Sequence, residues 1–419
     1  MPAKRQSRPL RAEKEFVVLP GWRQVIDVEW QVMSMAKELR GGYTTGACVA
    51  AGAKAAALYL KDRLTADVVE ITALDGTRLR IPIKKIEKLA ADSLAPVIRA
   101  EVVKDAGDDP DITNGTSVFV TLTLAMPEDE LKAVPGMSVR HENILFEAGE
   151  GIGHATKPGL SLSVGEPAIN PGPRKLVYNS LLEAFGRPVP CRVRIDIPGG
   201  RELAKKTLNP VLGIEGGISV IGTTGVLRPM SEEAFKESLV PQIKVARAAG
   251  FDTQIFVPGK IGQRIAASWG LPEEGMVQTS NFIGYMLEAA ADLGLERVLL
   301  FGHIGKLAKV AAGVFHTHNR VGDARLEVLA AYSGAMGMPS EGIERILGSV
   351  TTEEALPVIA EYGLEGVYER IAARASYRAE RLIFNKVQVG TVLVTLQGEL
   401  LGMDHRAREI GGDFGWSIK

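Results

Sequence analysis

The stretch GGISVIGTTGVLRPMSEEAF, Gly216 to Phe235, decides how the chain is read. A β-branched run, Ile218 to Ile221, drops into Gly222-Thr223-Thr224-Gly225, and a helix signal opens only at Ser231, whose hydroxyl suits an N-cap. Strand, glycine turn and helix make one βα unit, and the rhythm recurs downstream. Strands are expected at ISVIG, DTQIFV, GMVQTS and RVLLFG, and helices at SEEAFKESLVPQIKVARAAG, IGQRIAASWG, NFIGYMLEAAADLG and KLAKVAAGVFHTH. Such alternation predicts a parallel sheet with helices on both faces. A late strand in NKVQVGTVLVTLQGELLG returns to one of the sheets.

Upstream of Gly216 the pattern differs. TGACVAAGAKAAALYL, Thr45 to Leu60, is rich in alanine, with Thr44 or Thr45 placed as N-cap, and predicts a buried helix packed through small side chains. The alternating runs DVVEITAL, TRLRIPI, APVIRAEVV and SVFVTLTL predict a largely antiparallel sheet, the first two joined at an Asp75-Gly76 turn. A helix from about Leu176 to Phe185 precedes the strand CRVRIDI. The expected fold class is therefore α/β plus α+β in two domains. Residues 39–215 form an α+β domain with glycine-rich loops, and residues 216–419 a Rossmann-like α/β domain. Residues 1–38 read as an N-terminal extension without catalytic groups.

A chain of 419 residues exceeds what one core usually supports, which agrees with two domains. Lys plus Arg at 49 against Asp plus Glu at 50 gives a net charge of −1, so no global field draws nucleic acid or an anionic membrane. Cys48 and Cys191 are the only cysteines, too few for a disulfide framework or a cysteine zinc site, and a reducing cytoplasm is the natural setting. No window approaches the ~20 apolar residues of a membrane helix.

Ligands of open parallel sheets bind outside the carboxyl ends of the strands. The turns expected there are Gly222 to Gly225, Pro258-Gly259-Lys260, Thr279-Ser280-Asn281 and Gly302 to Lys306. All are small, polar or basic, although any one of them would also serve simply to close a tight turn. A dinucleotide fits poorly, because no GxGxxG follows the first strand and Lys260 stands where a ribose-binding carboxylate is expected. No GxxxxGK[ST] occurs, and Val226 to Met230 separate the glycines from Ser231, so the loop has room for more than a phosphate.

These turns, with the first-half loops, resemble the cobalt-precorrin-5B C1-methyltransferase (CbiD) family of anaerobic cobalamin biosynthesis. The segments that carry the resemblance are LRGGYTTGACVAAGAKAA, KDAGDDPDITNG, GEGIGHATKPGL, GEPAINPGPRK, GGISVIGTTGVLRPMS, GHIGKLAK and THNRVGDARLE, in the family's order from about Leu39 to Glu327. Two positions depart from the family's usual residues: Ala47 stands where Thr is usual and Gly172 where Val is usual. The resemblance implies methyl transfer from S-adenosyl-L-methionine to C1 of a ring-contracted tetrapyrrole, cobalt-precorrin-5B, giving cobalt-precorrin-6A. Its cobalt belongs to the substrate, so no protein metal is implied, and neither nucleic acid nor membrane is a partner. Oligomeric state is left open, a homo-oligomer included.

A sulfonium methyl is already activated, so such an enzyme aligns a carbon nucleophile, excludes water and manages one proton. Gly222, Thr223, Thr224 and Gly225 are expected beside the adenosyl or methionine part, with Thr279 and Asn281 as further cofactor contacts. The substrate's acetate and propionate arms call for scattered cations, here Arg174, Lys175, Arg228, Lys260 and Lys306, Arg174 foremost. In KDAGDDPD, Asp105 or Asp108 serves as general base, or the crowded carboxylates of Asp105, Asp108, Asp109 and Asp111 cap a turn or bind a cation. His303, at a strand end, is a proton donor or carboxylate partner, with a purely structural role as the alternative. His316 and His318, on the helix expected there, point about 200° apart and cannot chelate together. GEGIGHATKPGL either wraps the macrocycle edge or is a wide loop. The substrate is expected between the domains. Two competing activities are a nicotinamide-dependent tetrapyrrole reductase and a non-enzymatic corrinoid carrier.

Overall fold

Thr44 starts the first helix as its sequence suggests. Its backbone is extended (φ −76°, ψ 165°) and its Oγ1 accepts from the N–H of Ala47 at 3.2 Å, which fixes the entry of helix α1, Thr45–Asp62. The small side chains of α1 let it lie close on a sheet: a Cβ at Gly52 would stand 2.8 Å from Val120 Cγ2. The computed structural model describes residues 39–89, 96–124, 132–229 and 231–416, so the expected extension 1–38 lies outside the described residues.

The sheet under α1 has six strands: β1 (Lys85–Leu89), β2 (Val97–Val103), β3 (Ser117–Leu124), β4 (Ser138–His141), β5 (Ile144–Ala148) and β6 (Cys191–Asp196). Their order is β1-β2-β3-β6-β5-β4, antiparallel except where β5 and β6 run parallel. Alternation sets its two faces. Ile98, Ala100, Val102, Val118, Val120, Leu122, Val193 and Ile195 are fully buried under α1 and helix α2, Pro171–Phe185. Val68–Thr72 and Arg78–Pro82 form the expected hairpin, with Asp75 Oδ1 accepting from Thr77 N at 3.0 Å.

The second sheet is mostly parallel, in the order β8-β7-β9-β10-β11, with β7 Thr253–Val257, β8 Met276–Gln278, β9 Arg297–His303, β10 Gln388–Val394 and an antiparallel β11, Leu400–Met403. Helix α3, Lys260–Ser268, packs on one face, where Ile265 and Ala266 meet Ile255, Val257, Leu299 and Phe301. Helix α4, Ile304–Ala312, packs on the other, against Phe256, Val298 and Leu300. The expected late strand is β10, beside β9. The protein is thus a mixed α/β structure with antiparallel and parallel sheets.

Three element-level expectations are corrected. Ile218 to Ile221 form no strand of the parallel sheet; Ile218 and Val220 make single bridges to Ile152 and Ile169, and the parallel sheet begins at Thr253. The long helix expected from Ser231 is two, Glu232–Leu239 and Pro241–Ala248, because Pro241 opens a new first turn. The helix expected to reach His318 stops at Gly313, which takes a left-handed cap (φ 88°). His316 and His318 are therefore not helical, and their ring centroids lie 6.4 Å apart.

Candidate active site

The GTTG loop is held by the starts of α1 and α2. Gly46 N donates to Ile221 O at 3.0 Å, Thr45 Oγ1 accepts from Ile221 N at 3.0 Å, and Thr44 N donates to Gly225 O at 3.0 Å. Gly222 (φ 138°) passes so near the cap that a Cβ would stand 2.3 Å from Thr44 Oγ1. From the α2 side, Asn170 N donates to Val220 O at 3.1 Å, and a Cβ on Gly172 would stand 2.7 Å from Gly222 O. The glycine at 172 thus admits the loop's closest approach. The YTTG, PAINPGP and GTTG segments, far apart in sequence, meet at one place.

Within the loop the two threonines differ. Thr224 Oγ1 accepts from Val226 N at 3.2 Å, and its carbonyl accepts from Leu74 N at 2.8 Å. It shapes the turn. Thr223 is exposed, as is Arg228 beyond it. Arg174 is buried at 7% exposure: its Nε donates to Ile169 O at 2.6 Å and its Nη2 to Glu166 Oε2 at 3.0 Å. Its charge is compensated and its fork holds the PAINPGP turn. Lys175, one residue on, is exposed.

The acidic loop also joins this region, since Tyr43 N donates to Asp105 O at 3.0 Å. Asp105 Oδ1 closes an Asx turn on Gly107 N at 2.8 Å. Asp111 pairs with the buried Lys104, whose Nζ also donates to Thr113 Oγ1 at 2.6 Å. Burial opposes ionisation of Asp111, but the Lys104 ammonium and the Thr113 donors outweigh it and hold the carboxyl below its usual range. Asp108 is exposed on the same loop. Among the described residues no group of three His, Cys, Asp or Glu is placed to hold a metal ion.

A second group lies at the carboxyl edge of the parallel sheet. From β7 the chain turns through α3 to β8 on one side, then crosses to β9 on the other, which makes the β7–β9 gap the switch point where such sheets bind ligands. Gly259 (φ 149°) precedes α3 there; a Cβ on it would meet nothing within 4 Å, and no side chain caps the helix. Across the gap, Lys306 Nζ donates to Pro258 O at 2.8 Å, and burial with the nearby Lys309 lowers its pKa. Lys260 is exposed at the head of α3. Thr279 is fully buried, and its Oγ1 has no hydrogen-bond partner among the described residues. Asn281 O accepts from Thr317 N at 2.9 Å.

His303 caps α4. Its Nδ1 accepts from Gly305 N at 3.2 Å and its Nε2 lies 2.8 Å from Glu353 Oε1. The network assigns the neutral tautomer with the proton on Nε2, donated to Glu353. Glu353 also accepts from Leu396 N at 3.0 Å. Sequence reasoning missed Glu353, because its helix (Thr352–Glu361) is remote in the chain from β9.

Comparison with known proteins bears on the same residues. The CbiD family model matches residues 32–229, and that for the CbiD C-terminal domain matches 316–405. A protein of Moorella thermoacetica named cobalt-precorrin-5B C(1)-methyltransferase is 44% identical over 384 residues, covering 91% of this chain and all of that one. The chain belongs to the CbiD family. A Methanocaldococcus jannaschii protein of the same name is 44% identical over 88% of this CbiD chain and 98% of its own length. A crystal structure of a cobalamin biosynthesis protein (CbiD) from Archaeoglobus fulgidus aligns with a TM-score of 0.34 at 24% identity, over 68% of this chain and 84% of that one. The first CbiD match ends just past the GTTG loop and the Val226–Leu227 pairing with Gly42 and Tyr43. No helix among the described residues is long and apolar enough to cross a membrane.

Proposed function

We propose that this CbiD protein is a cobalt-precorrin-5B C1-methyltransferase of anaerobic adenosylcobalamin (vitamin B12) biosynthesis, adding a methyl group at C1 and giving cobalt-precorrin-6A. The observation that carries the reading is the likeness, end to end, to relatives of that name, 44% identical over the whole of one of them. The cobalt enters with the tetrapyrrole, and the enzyme works in the cytoplasm.

The methyl donor is S-adenosyl-L-methionine, which when bound supplies a methyl group already activated as a sulfonium. The residues at the switch point of the Rossmann-like half fit it. Gly259 leaves open space before an uncapped helix start, and Thr279 carries a buried hydroxyl without a partner among the described residues. Lys306 and the α3 N–H groups hold a carboxylate there. Asn281 and Lys260 border the same edge. His303, with both ring nitrogens engaged, positions the start of α4 and Glu353.

The first-half loops receive the tetrapyrrole. Thr223 is the GTTG side chain offered to ligand, while Gly222, Thr224 and Gly225 set the turn. Arg228 and Lys175 present charge for the carboxylate arms, and Arg174 fixes the turn that carries Lys175. Asp105 and Asp108 serve the proton.

Calorimetry tests the donor assignment. S-adenosylhomocysteine binds and NADPH does not, and Lys306→Met weakens S-adenosylhomocysteine about tenfold, the loss expected of one charge-assisted contact. NADPH binding would point to a reductase instead, and binding of neither nucleotide to a corrinoid carrier.

A further inference from the structure

The face of the six-stranded sheet turned away from α1 is polar and ends in a cleft. Strand registers place Glu101, Phe119 and Asp196 in one cross-strand row and Arg99, Thr121 and Arg194 in the next, with Arg192 beyond. At the start of β3 the cleft measures about 750 Å³. Phe119, Pro198 and Leu203 give it an apolar floor, and Lys205 and Lys206 stand on its rim. The Arg99 guanidinium lies 5.9 Å from the Phe119 ring centroid and extends the positive charge along the floor.

Charge around the cleft is unbalanced. Glu101 is paired with Lys84 at 2.8 Å, Asp196 with Arg194 at 3.0 Å, and Glu202 with Lys205 at 2.7 Å. Arg99 and Lys206 form no direct ion pair among the described residues, Lys206 acting on Glu202 only through its nearby charge, and the Lys205 pair is exposed, so it yields readily to a competing anion. An apolar floor inside a cationic rim suits a broad, largely apolar ring edged with carboxylates, and the volume lies in the range of small-molecule sites, about 300–1,000 Å³.

The cleft is also tied to the GTTG arm. Gly151 O would stand 2.3 Å from a Cβ on Gly200 and 2.1 Å from one on Gly217, and it accepts from Ile218 N at 2.9 Å. One backbone seam therefore carries the cleft's short helix, Gly200–Ala204, on one side and the start of the GTTG segment on the other.

We infer that this cleft and the arginine-bearing face beside it dock one edge of the tetrapyrrole, with the ring on Phe119 and Leu203 and the carboxylates of that edge on Lys206, Lys205 and Arg99, while Lys175 and Arg228 serve the remaining arms. The inference rests on the function proposed above and names the part of the molecule that takes the substrate. Cobyrinic acid, a corrin with free carboxylates, serves as an air-stable probe in absorbance titrations of the full-length protein. The Lys205→Met/Lys206→Met double variant changes only exposed side chains, so it leaves the fold intact. It weakens cobyrinic acid about tenfold, as two exposed charge contacts predict. It also flattens the salt dependence of binding and leaves S-adenosylhomocysteine affinity unchanged. A control double variant at the exposed Lys61 and Lys386 binds as the parent does. Equal affinity in the rim variant and the parent overturns the cleft assignment while the methyltransferase reading stands. So does a loss that appears only on removing Lys260 and Lys306. A parent protein that neither binds cobyrinic acid nor methylates the tetrapyrrole overturns both.

Discussion

At the residue scale, what a side chain touches separates groups that look alike in sequence. Thr223 and Thr224 are adjacent and identical, yet only Thr224 bonds within the turn. Thr224→Ala is expected to lower stability by about 1 kcal/mol, the usual worth of a turn hydrogen bond. Thr223→Ala is expected to leave the melting temperature in place and raise a substrate KM. Thermal melts and steady-state kinetics on both variants check this, and a Thr223→Ala enzyme with parental kinetics would remove Thr223 from the site. Arg174 was expected to meet substrate carboxylates; buried against Ile169 O and Glu166, it is a structural fork. Arg174→Met should cost about 2–4 kcal/mol by stranding these buried partners, and Arg174→Lys should not restore it, since one ammonium lacks the fork. Sequence could name both residues as candidates. It could not assign their partners, because those come from segments remote in the chain.

Asp111 adds a pH dependence at the same scale. Its folded pKa is held below its unfolded value, so the stability it contributes is present above about pH 4, the unfolded carboxyl value, and is lost as pH falls through the lower folded value. Protonation there leaves the Lys104 ammonium buried without its carboxylate. Urea melts from neutral pH down to about pH 3 should show this loss in the parent. The Asp111→Asn variant should be less stable at neutral pH and should lack that component.

At the element scale, local signals decide some elements and neighbours remote in the chain decide others. The Thr44 cap, the alanine-rich α1, the Asp75-Gly76 hairpin and the strands β2, β3, β6, β7, β8, β9 and β10 were legible from caps, turn residues and period. Ile218 to Ile221 carry the β-branched signal of a strand, but a strand needs partners along its length, and here only single bridges form. The GTTG loop was therefore placed at the wrong sheet edge. Gly313, by contrast, was a stop signal available in the sequence and passed over. The glycine seam at Gly151 was also hidden, since a positive φ and a close approach arise only on folding. Gly151→Ala combines a left-handed φ of 74° with a Cβ 2.0 Å from Ile197 O. It should cost more than about 3 kcal/mol, or prevent folding. Gly186→Ala, with a φ of 72° and open space around it, should cost only about 1 kcal/mol. Comparable melts for the two variants would show that strain alone, and not the seam's packing, sets the cost.

At the scale of the whole molecule, the two groups of expected site residues gather at different places, one at the helix starts over the first sheet and one at the edge of the second. Asp105, Asp108, Arg174, Lys175, Arg228 and Gly222 to Gly225 gather around the starts of α1 and α2. Lys260, Thr279, Asn281, His303 and Lys306 gather at the carboxyl edge of the parallel sheet. That division suits a reaction with two bound molecules, a carboxylate-edged macrocycle and a sulfonium donor, and asks of the protein chiefly alignment and exclusion of water. The function was legible because ordered loop motifs carry it; the division of labour between sheets was not, because it depends on which sheet each loop joins. Methyl transfer to C1 is tested most directly by incubating the full-length protein anaerobically with cobalt-precorrin-5B and S-adenosylmethionine labelled in its methyl group, then locating the label by mass spectrometry and NMR. One labelled methyl at C1 is the expected result; a tetrapyrrole recovered without label, or labelled at another carbon, would contradict it.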